Sequence, residues 1–227
     1  TLRRCAIEAG VDLLGVDHGL TTLRKTRVVS QQEQIVRLDY EDAQTAAPVV
    51  QAEILKVFES CLDECDLVVI SDYAKGFLSP QVAKRIIDRS HEAGRQVIVD
   101  PRPQNRDCYY GCDYLTPNWK ECRGLLGLPE ADASPELAAS VASALATELH
   151  TNVLLTLGPH GICFSGRDGV EAFAQPTLAR EVFDVSGAGD TVVAALALAL
   201  ASGANHRTAV SLANKAASVV VGKFGTA

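Results

Sequence analysis

A turn of five small residues that runs straight into a helix constrains this chain more than any other feature. It lies in the segment EVFDVSGAGDTVVAALALALASG, residues 181–203, whose positions 182–185 read as the end of a strand. Ser186-Gly187-Ala188-Gly189-Asp190 make the turn. Positions 191–202 are an Ala/Leu/Val run of strong helix formers, closed by Gly203. A glycine turn that opens a helix leaves backbone N–H groups unpaired and aimed outwards, and the helix dipole adds partial positive charge there. Such a spot favours an anion. Asp190 sits where those donors converge. A carboxylate in that place takes a proton from an attacking hydroxyl, while the donors hold charge developing on a transferred phosphoryl group. The plainer reading is a capping turn with Asp190 as a first-turn carboxylate. The segment alone leaves both open.

Four apolar runs punctuate the chain, and each is followed by a polar loop. They lie at 67–70, 97–99, 114–116 and 152–157. Continuous apolar runs mark strands buried on both faces. Helical patterns at 52–61, 81–93, 135–149 and 206–221 alternate with them, which predicts an α/β fold with a mainly parallel sheet and helices on both faces. Open sheets of this kind bind ligands at the carboxyl ends of their strands. The loops there hold Asp72 and Lys75 in SDYAKG, Arg102 after Asp100-Pro101, and Asn118 and Glu121 in PNWKE. An amide and a carboxylate three apart on a helical turn face the same way and can hold metal-bound waters. They equally make a capping box, and the two roles are compatible. A hairpin is predicted from 162–164 and 170–173, turning at Arg167-Asp168-Gly169. Another is predicted from 27–29 and 34–38, carrying Lys25, Arg27 and Arg37. By charge alone, the latter is an edge hairpin protected from aggregation. The chain opens on a helical pattern with no strand and no Met before it, so a preceding N-terminal part is expected.

Composition removes several classes. The net charge of -7 speaks against a nucleic-acid or anionic-membrane role, and the Ala/Leu run at 192–201 is too short to span a bilayer. If the substrate is a phosphate ester, positive charge must be gathered locally. Seven cysteines, an odd number without Cys-x-x-Cys, read as reduced cytosolic thiols rather than a zinc site. No Gly-x-Gly-x-x-Gly follows an early strand and no Gly-x-x-x-x-Gly-Lys-Ser/Thr occurs, which disfavours Rossmann dehydrogenases and P-loop NTPases.

The run DVSGAGD at 184–190 resembles the signature Asp-Thr-x-Gly-Ala-Gly-Asp of the ribokinase-like (PfkB) carbohydrate kinases, with Val185 in place of Thr. NWKE at 118–121 resembles the family's Asn-x-x-Glu signature, and TLGPHG at 156–161 its Thr-x-Gly-x-x-Gly step beside ATP. Within the family, TxxKTRVVS…QIVRLDYE and SDYAKG are similar to the heptose 7-phosphate kinases. The matches fall in the family's order along nearly the whole chain. The resemblance implies one ribokinase-like kinase domain over 1–227, with a small β-sheet lid at about 21–40. It implies Asp190 as base and Gly187, Ala188 and Gly189 as the anion hole. Asn118, Glu121, Thr156, Gly158, Gly161, Asp184 and Asn214 would surround ATP, with Mg2+ near Asp184 and, through water, Glu121. Lys25, Arg27, Arg37, Asp72, Lys75 and Arg102 would face the sugar phosphate. The implied reaction is ATP-dependent phosphorylation of the 1-hydroxyl of D-glycero-β-D-manno-heptose 7-phosphate, by a cytoplasmic homodimer with no nucleic-acid or membrane partner. The rivals are a ribokinase-like kinase for another sugar and a nucleotide-binding module without catalysis.

Overall fold

Alternation of apolar residues across a central sheet decides how the chain is layered. The computed structural model describes residues 2–16, 24–30, 33–40, 46–169, 171–179 and 185–223. In chain order, α1 (Leu2–Glu8) and the strands β1 (Arg24–Ser30) and β2 (Glu33–Tyr40) come first. Then follow α2 (Pro48–Cys61), β3 (Leu67–Ser71), α3 (Pro80–Glu92), β4 (Gln96–Asp100) and β5 (Tyr114–Leu115). α4 (Trp119–Leu125), α5 (Pro135–Leu149), β6 (Asn152–Thr156), β7 (Ile162–Ser165), β8 (Ala172–Gln175), α6 (Ala188–Ala201) and α7 (His206–Val221) complete it. Strands β3 to β8 form one six-stranded sheet in sequence order. β3 to β6 run parallel, and β7 and β8 add an antiparallel edge.

Side chains of successive strand residues point to opposite faces. Val97, Val99, Leu115, Val153 and Leu155 therefore pack with α2 to α5. Ile98, Tyr114, Leu154 and Phe164 pack with α6 and α7. The predicted two-faced α/β layering is the one observed. At about 25 cal/mol per Å² of apolar surface removed from water, these two faces supply the main driving force for folding.

Three details depart from expectation. The run at 67–70 is not buried on both faces: β3 is an edge of the described sheet, and Val69 is 42% exposed. α2 begins at Pro48 rather than at 52, using proline's fixed φ in its first turn. α6 begins at Ala188 rather than at 191, so Asp190 is inside its first turn. Positions 182–184 of the expected strand end lie outside the described residues. Gly161 is needed for packing, since a Cβ there would sit 2.1 Å from the Gln175 carbonyl oxygen, and its φ of +90 suits glycine. All seven cysteines are free thiols, and burial pushes Cys108 up to about 11 and Cys122 to about 12.

β1 and β2 pair antiparallel as a separate two-stranded sheet with a bulge between Val28 and Val29. The register sets Arg24 against Tyr40, Thr26 against Leu38 and Val28 against Val36. Between these come Lys25 against Asp39 and Arg27 against Arg37.

Candidate active site

Parallel pairing aligns the strand ends, and with them the polar residues that follow. Ser71 pairs with Asp100, and the Asp72 N–H donates to the Asp100 carbonyl at 3.0 Å. Further along the edge, the Thr156 N–H donates to the Pro117 carbonyl at 3.0 Å, and Asn118 and Thr156 form a parallel bridge. Asp72, Asp100, Asn118 and Thr156 thus line the carboxyl edge of the sheet, where the sequence pattern places the ligands.

The turn before α6 completes this edge. Gly187 is its N-cap with φ 79 and supplies no side-chain acceptor. The Ala188 N–H donates to the Val185 carbonyl and the Thr191 N–H to the Gly187 carbonyl at 2.9 Å, so the N–H groups of the first turn of α6 point out of the helix start. A Cβ added at Gly187 or Gly189 would meet no atom within 4 Å, so the backbone here is open to close approach. First-turn N–H groups, the positive end of the α6 dipole and open space are the features that suit an anion, and Asp190 stands exposed beside them.

Electrostatics tie these groups together. Burial pushes the Asp100 carboxyl up to about 6. The negative charges of Glu121, Asp190 and Asp72 add to the rise, and Arg102 opposes it. Four carboxylates and one guanidinium therefore share one field at the sheet edge. Asp100 ends β4 where Asp72 follows β3, so the strand-end rule could have found it from the sequence.

Asp72 is 3% exposed, and its carboxylate accepts from three donors: the Ala74 N–H at 2.7 Å, the Asn105 amide at 2.7 Å and the Tyr109 O–H. These bonds tie the loops after β3 and β4 together at the place where the sugar is expected. Arg102 pairs with Glu121 and lies over the Tyr73 ring. Glu121 has a second role: its other oxygen accepts from the Asn118 N–H at 2.9 Å, and Asn118 accepts from the Glu121 N–H at 2.9 Å. This capping box opens α4 and holds both side chains at the helix start. Neither Asn105 nor Tyr109 carries a sequence signal, because only the tertiary fold brings them to Asp72.

The remaining candidates are spread around this core. Gly158 has φ 58 at the loop after β6. Asn214 is buried on α7 and donates to the Pro176 carbonyl at 2.8 Å, tying α7 to the loop after β8. Lys25 and Arg37 are on the hairpin, where Arg37 pairs with Asp39 at 3.0 Å. Arg27 lies in β1. Lys75 is half-buried after β3. Asp184 lies outside the described residues. Among the described residues no three His, Cys, Asp or Glu side chains form a direct metal cluster. The crowded carboxylates still fit a hydrated divalent ion, since Mg2+ keeps most of its waters and takes few protein ligands.

The model of the pfkB family carbohydrate kinases matches residues 2–227. The chain belongs to that family. "Bifunctional protein HldE" of Desulfatibacillum aliphaticivorans is 40% identical over 98% of this chain. The chain spans 45% of that relative, less than half its length. The structure of Arabidopsis thaliana ribokinase complexed with ribose and ATP is 25% identical, with a TM-score of 0.63 over 75% of this chain and 54% of that one. The tetrameric inhibited form of phosphofructokinase-2 from Escherichia coli is 18% identical with a TM-score of 0.77, covering 97% of this chain and 72% of that one. The last likeness is one of fold, and the ribokinase-like architecture expected from the motifs is the one present.

Proposed function

We propose that this pfkB-family chain is a single kinase domain that transfers the terminal phosphoryl group of ATP to the 1-hydroxyl of D-glycero-β-D-manno-heptose 7-phosphate. The product is the 1,7-bisphosphate, on the route to ADP-heptose and lipopolysaccharide core. The observation that carries the reading is Asp190 in the first turn of α6, at the positive end of the helix dipole and beside a glycine turn with free space above it. Asp190 takes the proton of the sugar hydroxyl as that oxygen bonds to phosphorus. The bond from phosphorus to the bridging oxygen breaks, and ADP leaves. The turn at Gly187, Ala188 and Gly189 holds the charge on the transferred group. Thr156, Gly158, Gly161 and Asn214 flank the nucleotide, with Asp184 at its phosphates. Asn118, Glu121 and Asp184 would hold Mg2+ through its waters, and the ion would neutralise phosphate charge.

The substrate class rests on the similarity to the bifunctional relative and on the motifs at 21–40 and 71–76. A sugar phosphate needs cations far from Asp190, and the lid hairpin offers Lys25, Arg27 and Arg37, with Lys75 near the sheet edge. The hairpin also leaves Val28, Val36, Leu38 and Tyr40 on one face, 42–53% exposed, which supports a homodimer formed through the lid. Free thiols support a cytoplasmic setting, and among the described residues no helix is long and apolar enough to cross a membrane.

The test is steady-state ATP turnover with a panel of sugars and sugar phosphates. Heptose 7-phosphate should give the highest kcat/KM. Arg27→Ala should raise its KM about tenfold, which is about 1.4 kcal/mol, and leave the KM for ATP nearly unchanged. Preference for an unphosphorylated sugar would overturn the substrate, and no turnover with any acceptor would overturn catalysis.

A further inference from the structure

The loops after β3 and β4 are sewn together by one phenol. Tyr109 is fully buried at the end of the 3-10 stretch Pro103–Cys108. A phenol has one proton and can also accept. Its O–H donates to the Asp72 carboxylate, the stronger of its two acceptors because it is charged. Its oxygen accepts the Arg102 N–H at 3.0 Å. Burial and the bond to Asp72 hold the phenol well above its ordinary range, so it stays protonated at any working pH. Asn105 makes a parallel link: its N–H donates to the Arg102 carbonyl at 3.0 Å, and its amide donates to Asp72. The main chain of Arg102 is thus held on both sides by groups anchored on one buried carboxylate. From there, the Arg102 guanidinium reaches back to the Pro101 carbonyl at 3.2 Å and forward to Glu121.

We propose that Tyr109 is a positioning residue for the phosphoryl-transfer site, acting through Arg102: it fixes the backbone from which the guanidinium reaches Glu121 and the edge that Asp190 faces. The inference rests on the kinase reading for its consequence in catalysis, but not for its geometry. Asp72 is the anchor of this arrangement. The ring of Tyr109 fills core, so removing the hydroxyl alone is the informative change. A merely structural Tyr109 would lower stability in any background, whereas one that works through Arg102 loses its effect on rate once Arg102 is gone.

The experiment compares Tyr109→Phe and Asp72→Asn, each in the wild-type and Arg102→Met backgrounds. Tyr109→Phe should lower kcat about tenfold with KM for ATP within about twofold, and should cost less than about twofold when added to Arg102→Met. Asp72→Asn, which keeps the shape of the anchor, should act in the same way if Tyr109→Phe fails to fold. The second readout needs no turnover: the side-chain resonance of Arg102 in nitrogen-labelled protein, assigned by its loss in Arg102→Met. It should be distinct in the wild type and move to the position of a solvated arginine in Tyr109→Phe. An unchanged Arg102 resonance, or equal losses of kcat in both backgrounds, overturns the proposal. If the wild type turns over no acceptor, the kinase reading fails, and the resonance still decides whether Tyr109 positions Arg102.

Discussion

Asp190 and Asp100 are two carboxylates of one edge with opposite consequences. Asp190 is exposed beside the glycine turn, so its cost in the fold is small, and its proposed use is as the base. Asp190→Asn keeps the shape and removes the basicity. kcat should fall roughly 10²–10⁴-fold, the usual worth of a general base, while ATP still binds. Near-normal kcat in the folded variant would remove Asp190 from the role. Asp100 is held at about 6, above its ordinary 3.8, mainly by burial and by Glu121. A carboxyl raised in the folded state binds more protons there than in the unfolded chain. Stability should therefore fall as pH rises from about 4 to about 6 and level off above that. Asp100→Asn should raise the melting temperature at pH 8, with the gain vanishing near pH 4 in the absence of divalent metal. A lower melting temperature for Asp100→Asn at pH 8 would contradict this account. This residue was legible only in part: its place at the end of a buried strand was in the sequence, but its crowding with Glu121, Asp190 and Asp72 was not.

Among the elements, α4 shows how one motif serves fold and site together. Its seven residues are too few to stand alone in water, so the capping box and the burial of Trp119, Cys122 and Leu125 hold it. Asn118→Ala should cost about 1 kcal/mol of stability, read from denaturant unfolding. Glu121→Gln separates the two roles, because glutamine also completes a capping box. Its melting temperature should stay close to wild type, while the magnesium needed for half-maximal rate rises. An unchanged magnesium titration would leave Glu121 as a cap and a partner for Arg102. The capping box was readable from Asn-x-x-Glu, since it depends on neighbours three apart. The Arg102 partner was not, since 19 residues separate it from Glu121. β3 erred in the other direction: its apolar run is that of a central strand, but its position at the described edge leaves Val69 in water.

Among the described residues the strands divide into a two-faced six-stranded sheet and a two-stranded hairpin. The hairpin's register gathers Val28, Val36, Leu38 and Tyr40 on one side, and the proposed dimer rests on this exposed apolar strip. Leu38→Asp places a charge in the middle of that strip. Sedimentation should show a dimer for the wild type and a monomer for the variant, with the melting of the main sheet little changed. A wild-type monomer at micromolar concentration would exclude the dimer.

By itself, the sequence determined what depends on near neighbours and on periodicity. Apolar runs and helical spacing set the alternation of strand and helix, glycine and aspartate set the anion turn, and Asn-x-x-Glu set the cap. The motifs in their order also identified the family. Tertiary structure decided what depends on residues far apart in the chain. It made β3 an edge of the described sheet, gave Asp72 its buried partners, paired Arg102 with Glu121 and brought Tyr109 beneath both loops. The reason is physical. A local pattern is enforced by backbone geometry within a turn or a strand, whereas the partner of a buried polar group is whichever donor the packed sheet carries to it.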